Sequence, residues 1–284
     1  MSLIRDVSDT AIWVAQYRAR ESARPDAIFR DPLAKVLTGE RGEQIARSFG
    51  AASRYTEWSV VARTVLIDEF ITEAVKDGVD AVLNLGAGLD TRPYRMELPV
   101  SLQWVEADFP HMVAYKQQML QAHKPQCRLQ WTGLDLSDPT ARRRLLARVA
   151  PGAKKILVLT EGVIPYLTED QVAELAKDLR VRTQFAFWLA EYFSPQVYRY
   201  LRATARSRQM ANAPFRFFPA DWQAFFSDHG WARKEIHYSS EVAQRFNRTP
   251  PMPWFAKLLL PFASKETLER MRLMSGYALM TPCS

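Results

Sequence analysis

The sequence predicts an α/β fold built on a mostly parallel sheet, and three observations carry that reading. Seven apolar runs of strand length recur along the chain, at residues 81–85, 102–107, 128–134, 155–160, 184–191, 231–238 and 277–281. Helical patterns lie between most of them, the alternation that gives a parallel sheet with helices on its faces. The first run breaks at Gly86-Ala87-Gly88, a turn that brings bare backbone to the carboxyl end of a buried strand. Glycine there permits unusual dihedrals, and open α/β sheets bind nucleotides at that edge.

The elements follow in order. The first 78 residues precede any strand and read as helices, and Trp58, Val61, Ala62 and Val65 share one face at i, i+3, i+4 and i+7. Pro110, after Asp108-Phe109, suits the first turn of a helix running to about residue 122. Ser137 is placed to cap the next helix, whose Arg142-Arg143-Arg144 should face water. Thr168 and Gln171 make a capping box for a helix over 169–180. Between the fifth and sixth strand runs, residues 192–230 carry Arg-rich helical sequence and then aromatics. Residues 249–255 are too rich in proline for a helix or a central strand. Long aromatic inserts commonly cover an active site, and a packed loop is the other reading. With no repeat or linker in view, the chain reads as one domain over 1–284. Its parts are a helical N-terminal cover (1–78), a cofactor-binding core (79–191), a lid or substrate insertion (192–230), and C-terminal strands with their connecting segment (231–284).

Composition narrows the class. No apolar run approaches the roughly 18 residues of a membrane span. Arg5, Asp6, Asp9, Arg18 and Arg20 near the start argue against a secretory signal. Two distant cysteines, Cys127 and Cys283, without metal-ligand spacing, suit a reduced, cytoplasmic protein with no disulfide framework. No His/Asp/Glu cluster has ligand spacing, so no metal is expected. The net charge of +7 raises the question of nucleic acid, but basic residues are scattered among acidic ones. Arg199, Arg202 and Arg206 form the cleanest basic stripe, suiting a solvated helix face or an anionic substrate or carrier. Neither membrane nor nucleic acid is the expected partner.

The glycine turn constrains the ligand further. Twenty residues after Gly88, a second apolar run ends in Glu106-Ala107-Asp108, where an acid meets a ribose hydroxyl in nucleotide-binding folds. Thr91 occupies the third position of a dinucleotide fingerprint, where Gly or Ala is expected. That disfavours NAD and favours another adenosine-bearing cofactor, S-adenosyl-L-methionine. An ionised Asp108 can accept from two donors. Glu106, on the same strand face, is the alternative acid. Glu161, at the end of the fourth strand run, would be costly if buried without a partner, and an arginine could be that partner.

Six stretches together carry a family resemblance: Asp9-Thr10-Ala11 with Arg18-Ala19-Arg20-Glu21-Ser22, Asp31-Pro32-Leu33-Ala34, Ala62-Arg63-Thr64, Leu85-Gly86-Ala87-Gly88-Leu89-Asp90-Thr91-Arg92, Glu106-Ala107-Asp108-Phe109-Pro110, and Thr160-Glu161-Gly162-Val163-Ile164-Pro165-Tyr166-Leu167. They resemble the leucine carboxyl methyltransferase superfamily, in its bacterial branch of S-adenosylmethionine-dependent O-methyltransferases linked to polyketide and other natural-product pathways. The likeness spans about the first 170 residues and fades beyond Leu175, where substrate recognition should lie. It implies the class I methyltransferase (Rossmann-like) fold, seven strands with the last antiparallel. It also implies that Arg63 pairs with the methionyl carboxylate, a task suited to a planar guanidinium. Gly86 and Gly88 approach the amino-acid portion, Asp108 takes the ribose hydroxyls, Asp135 and Leu136 contact adenine, and Glu161 contacts the methionyl part. A surface role for Arg63 and a helix-capping role for Asp135 are the plain alternatives.

The segment after the fourth strand run bears on the acceptor. Enzymes that methylate exocyclic amines usually carry Asn/Asp-Pro-Pro-aromatic there; this chain has Glu161-Gly162-Val163-Ile164-Pro165-Tyr166, and it has no Pro-Cys pair for cytosine chemistry. O-methylation is expected. A carboxylate acceptor is already ionised at neutral pH, whereas a phenol, with pKa near 10, needs a base or electrostatic help. None of His111, His229 and His237 is assigned as that base. Tyr166 and Tyr192 are the substrate-orienting candidates, and Phe215, Phe217 and Phe218 could line an apolar acceptor pocket. The expected activity is methyl transfer to a carboxylate or hydroxyl of a small molecule or carrier-bound natural-product intermediate. An RNA methyltransferase and a non-catalytic cofactor-binding partner protein are the alternatives.

Overall fold

Near-continuous apolar runs belong in strands covered on both faces, and β1 (Ala81–Leu85) is buried along its whole length. The computed structural model describes residues 7–50, 53–204, 212–252, 258 and 260–283. Among them, β1 joins β2 (Gln103–Asp108), β3 (Arg128–Gly133), β4 (Ile156–Leu159), β5 (Phe185–Phe193), β6 (Trp231–Tyr238) and β7 (Ser275–Pro282) in one sheet. The strand order is β3-β2-β1-β4-β5-β7-β6. β1 to β5 pair in parallel, and β7 runs antiparallel to both its neighbours. The order reverses between β1 and β4, so a crevice opens at their carboxyl ends.

Alternation along each strand feeds two cores. Leu83, Leu85, Val105, Ala107 and Val158 face α6 (Pro139–Val149) and α7 (Glu169–Arg180). Val82, Trp104, Leu157 and Leu159 face α3 (Ser53–Lys76), which buries Leu66, Ile67, Phe70 and Ile71 against them. Before α3, α1 (Val7–Ser22) and α2 (Pro32–Ser48) pack against each other, their apolar residues forming two further clusters. Within α3, Val61, Ala62 and Val65 are buried as their spacing predicts. Trp58 is half-buried at the rim and donates its indole N–H to the Arg248 carbonyl at 2.7 Å.

After β1 the chain makes only the single turn α4 (Arg92–Arg95), and α5 (Pro110–Leu120) follows β2. The Thr168–Gln171 capping box of α7 is fully formed. Two local expectations are corrected. The cap of α6 is Asp138, whose Oδ1 accepts from Thr140 N and Ala141 N at 2.8 and 3.2 Å, and Ser137 lies outside it. Pro139 already supplies the fixed φ of a first helical position, so the residue before it takes the cap. Arg142 does not face water: it is 2% exposed, its Nη2 is 2.6 Å from Asp178 Oδ2, and its Nη1 donates to the Leu136 carbonyl at 3.0 Å. It sits in helical phase with Leu145, Leu146 and Val149, so the buried face of α6 carries it inward.

Between β5 and β6 lie α8 (Pro195–Thr204) and α9 (Trp222–Asp228). Phe217 enters the core with Trp188, Trp222, Phe226 and Trp231 and does not line an acceptor pocket. Arg202 lies over the Phe218 ring at 5.3 Å and donates to its carbonyl, which spends it on packing; Arg206 falls outside the described residues. The Pro-rich stretch is described only to Met252, as neither helix nor strand. Among the described residues, α10 (Ser239–Arg245) and α11 (Lys265–Arg272) lie between β6 and β7. No helix among the described residues is long and apolar enough to cross a membrane.

On β2, Glu106 is 1% exposed and bonded to Lys116 Nζ at 2.6 Å and Trp131 Nε1 at 3.0 Å. Burial pushes its carboxyl up to about 7 against the pull of Lys116. Lys116→Met should destabilise the fold by about 3–5 kcal/mol near pH 8, because a buried carboxylate is left unpaired. The unfolded carboxyl titrates near 4.3, below its folded value, so the penalty grows as pH rises and shrinks near pH 6. Urea unfolding at the two pH values checks this.

Candidate active site

The crevice is built around a backbone turn that favours glycine. Gly86 has φ +67° and Gly88 φ +49°. A Cβ on Gly86 would stand 2.3 Å from Val163 Cγ2, so the loop after β4 closes directly onto the turn after β1. Gly86 N donates to the Ala107 carbonyl at 2.7 Å, and Gly88 N to Asp108 Oδ2 at 2.6 Å. The turn is thereby fastened to the end of β2.

Around it lies a cavity of about 370 Å³. Arg63, Gly86, Gly88, Asp108, Asp135, Leu136 and Glu161 all line it, joined by Ala11, Val14 and Arg18 of α1. Asp108 Oδ1 accepts from Phe109 N at 2.7 Å. With Oδ2 taken by Gly88, two of its roughly four acceptor lobes remain. Burial raises the Asp108 pKa, with the Gly88 and Phe109 N–H groups pulling the other way. Asp135 is exposed, and its Oδ1 accepts from Ser137 N at 2.8 Å in a tight turn, leaving the cap of α6 to Asp138. Glu106, the alternative acid, turns away from the cavity into its pair with Lys116.

At the other end, Glu161 sits between two arginines. Its Oε1 is 2.9 Å from Arg63 Nε and its Oε2 is 2.7 Å from Arg92 Nη1. Burial alone would raise its pKa, but Arg92 and Arg63 hold it below the usual carboxylate range. Arg63 Nε is buried and, despite that short approach, has no partner in hydrogen-bond alignment.

Arg92 is the residue that sequence reasoning passed over. It is 1% exposed, with Nε 2.7 Å from Asp68 Oδ1 and Nη1 3.0 Å from Asp90 Oδ2. Against the upward push of burial, Arg92 holds Asp90 down to about 2. The signal was present: an arginine directly after a glycine turn, beside a proline, has little room to reach water.

Of the two tyrosines, Tyr166 lines the cavity and packs edge-on against Phe215 at 5.2 Å. Tyr192 is not among the lining residues; its ring is held edge-on between Trp222 and Tyr238 at 5.6 and 6.0 Å. The Nε2 of His111 is 2.8 Å from Ser8 Oγ. His229 is spent on the Phe225 carbonyl and His237 packs on Phe70, both away from the cavity. A second, smaller cavity of about 90 Å³ adjoins the first through Arg63, Gly162 and Tyr166.

Comparison with known proteins supplies the context for this geometry. The leucine carboxyl methyltransferase family profile matches residues 11–180, more than half of the chain. A "Putative S-adenosyl-L-methionine-dependent methyltransferase" from Parafrankia sp. (strain EAN1pec) is 29% identical over 270 residues, covering 86% of this chain and 83% of its own. The crystal structure of a "putative methyltransferase" from Thermobifida fusca YX superposes with a TM-score of 0.55 at 15% identity, over 95% of this chain and 94% of that one. A Streptomyces avermitilis structure gives a TM-score of 0.54 at 14% identity, over 94% and 96% of the two chains. At such identities the two structures share the fold.

The closeness of Gly86 to Val163 makes a direct test. Gly86→Ala should lower stability by about 1–3 kcal/mol, from the positive φ and from overpacking. Adding Val163→Ala should recover the overpacking part and leave the backbone part. Denaturant unfolding of the two variants checks it, and equal losses in both would show that Val163 is not the obstacle.

Proposed function

This chain is a member of the leucine carboxyl methyltransferase family and an S-adenosylmethionine-dependent methyltransferase, and we propose that it methylates oxygen. The acceptor we infer is a carboxylate or hydroxyl of a small molecule or of a carrier-bound natural-product intermediate.

The residues present suit the cofactor. Arg63 would hold the methionyl carboxylate, and its buried Nε lacks an aligned hydrogen-bond partner, so donor capacity is available where that anion belongs. Glu161 would hold the methionyl ammonium from the far side of Arg63. Asp108 has acceptor lobes to spare for the ribose hydroxyls, and Asp135 with Leu136 would flank adenine. Gly86 and Gly88 would let backbone approach the amino-acid portion without side chains between.

When bound, S-adenosylmethionine supplies a methyl carbon activated by its sulfonium, open to in-line attack. The protein's share is alignment and exclusion of water. The N-terminal helices contribute Ala11 and Val14 to the cavity wall. The insertion at 192–230 acts as the lid in this reading. Arg216 lines the cavity, and the N–H groups of Arg216 and Phe217 both donate to the Pro165 carbonyl, at 2.7 and 3.3 Å.

One observation carries the oxygen assignment: Arg63 and Tyr166 line both cavities. Each can donate a hydrogen bond, and an acceptor oxygen presents lone pairs to donors. An exocyclic amine presents hydrogens and needs acceptors around it. The loop Glu161 to Tyr166 carries no amide side chain to grip one.

Asp108→Ala should weaken binding of S-adenosylmethionine and S-adenosylhomocysteine by about ten- to a hundredfold, the cost of losing hydrogen bonds to a charged acceptor. The variant should still fold, with its unfolding midpoint lowered modestly because Gly88 N and Phe109 N lose their acceptor. Calorimetric titration with both ligands, and with NAD as the contrast, reads this out. Unchanged affinity in the folded variant would sink the ribose assignment, and NAD binding would sink the cofactor reading of the glycine turn.

A further inference from the structure

The smaller cavity, beyond Gly162, contains two buried polar groups with nothing to bind. Glu191, near the end of β5, is 5% exposed; its Oε1 accepts from Gly162 N, and its Oε2 has no hydrogen-bond partner. Tyr277 stands directly across from it on antiparallel β7, is 3% exposed, and its hydroxyl also lacks a partner. Both line the cavity. A buried polar atom without a partner is costly and calls for a reason. Two of them facing one space beside a methyl-transfer site suggest that the missing partner is the methyl acceptor.

We propose that the smaller cavity receives the hydroxyl end of a phenol or enol acceptor, that Glu191 is the general base for its proton, and that Tyr277 orients its oxygen. The proposal rests on reading the larger cavity as the S-adenosylmethionine site. As the acceptor O–H bond breaks, its proton passes to Glu191 Oε2. The oxygen's electron pair forms the new bond to the methyl carbon, and the carbon–sulfur bond breaks with its pair left on sulfur. The products are a methyl ether, a neutral thioether and a protonated Glu191, which loses its proton to solvent before the next turnover.

Size and charge select the acceptor class. A cavity of roughly 150 Å³ holds a whole benzene ring, so about 90 Å³ takes the hydroxyl edge of a ring and leaves the remainder outside. Phe193, Phe215 and Tyr166 around it suit a flat acceptor. A carboxylate acceptor would instead set a second negative charge against Glu191. An aliphatic alcohol, nearly as weak an acid as water, would hold its proton against a carboxylate base. A phenol, with pKa near 10, is within reach.

The groups that face Glu191 come from four elements. They are Arg63 of α3, Glu161 and Tyr166 after β4, Tyr198 of α8 and Tyr277 of β7. Burial pushes the Glu191 carboxyl up to about 7, while the Gly162 N–H and Arg63 favour its charged form and Glu161 opposes it. It therefore changes charge close to neutral pH, as a base poised for an acidic hydroxyl must.

The test is calorimetric, on the full chain saturated with S-adenosylhomocysteine. The probes are 4-methylphenol and 4-methylbenzoate, each near pH 6 and near pH 8. The phenol should bind the parent protein more tightly near pH 8, where Glu191 is ionised. Glu191→Gln should weaken it about tenfold or more near pH 8 and abolish the pH dependence. Glutamine keeps an oxygen for Gly162 N and turns an N–H2 donor toward the cavity, so the variant preserves the packing. Tyr277→Phe should weaken the phenol while keeping its pH dependence. Tighter binding of 4-methylbenzoate than of 4-methylphenol near pH 8, no phenol binding, or phenol binding untouched by Glu191→Gln would each overturn the proposal. S-adenosylhomocysteine is titrated first into the parent and the Gln variant. Its binding to both, with the phenol results absent, removes only this inference. Its failure to bind the parent removes the reading of the larger cavity, and this one with it.

Discussion

A buried chain of alternating charges holds the site together. Arg18 pairs with Asp31, Asp31 lies 4.0 Å from Arg95, Arg95 and Arg92 share Asp68, and Arg92 continues to Asp90 and to Glu161, where Arg63 closes the run. Four guanidinium groups and four carboxylates thus alternate across α1, the segment before α2, α3, the turn after β1 and the segment after β4. Arg18 also donates to the Leu89 carbonyl at 2.5 Å, and Asn84 to Asp90 at 2.8 Å, so both flanks of the glycine turn are tied into the chain. Such a network is poor evidence of stability, because desolvating eight charges offsets most of what their attraction returns. It is better understood as positional: each group has one arrangement in which it is paired, and that arrangement fixes the crevice.

The network also explains why the N-terminal helices belong to the catalytic unit although they precede the sheet. Without α1 and α3 the crevice would lack Arg18 and Arg63, and Glu161 would keep Arg92 as its only close cation. Arg92 itself is caught between three carboxylates and has no freedom to turn toward a ligand. Arg63 is ion-paired with Glu161 alone among these carboxylates, at the cavity wall and with its Nε out of hydrogen-bond alignment, and it faces Glu191 on its other side. Two arginines touching the same glutamate are therefore held differently: Arg92 by three short ion pairs, Arg63 by one.

Much of this was legible in the sequence. Strand positions followed from apolar runs, since a strand covered on both faces has no polar register to disguise it. The α7 cap followed from Thr168 and Gln171, whose chemistry is local. The seven residues proposed for the cofactor all line one cavity because each lies at the carboxyl end of a strand run or on the helix above it, positions that chain order reveals. What escaped were choices made by distant packing. Glu106 and Asp108 share a strand face two residues apart, and only Lys116 on α5 decides which is buried. Arg142 reads as a surface charge until the phase of α6 and the presence of Asp178 are known. Tyr192 and Tyr166 both follow strands, and the aromatic pair Trp222 and Tyr238 removes the former.

The two cavities draw on the chain unequally: the larger is lined almost wholly by residues before position 180, the smaller by residues from both sides of it. Every residue assigned to the cofactor lies before position 168, inside the part that the family profile matches. Glu191, Phe215 and Tyr277 lie after it. A single topological feature brings Tyr277 back to the smaller cavity. Because β7 is inserted antiparallel beside β5, Tyr277 arrives directly opposite Glu191, from a segment 86 residues further along the chain. Antiparallel insertion sets the last strand against the smaller cavity, while the segments after β1, β2 and β4 line the larger one. In the proposed reading, substitutions at Glu191, Phe215 and Tyr277 would alter the smaller cavity and leave the alternating charges around the larger one in place.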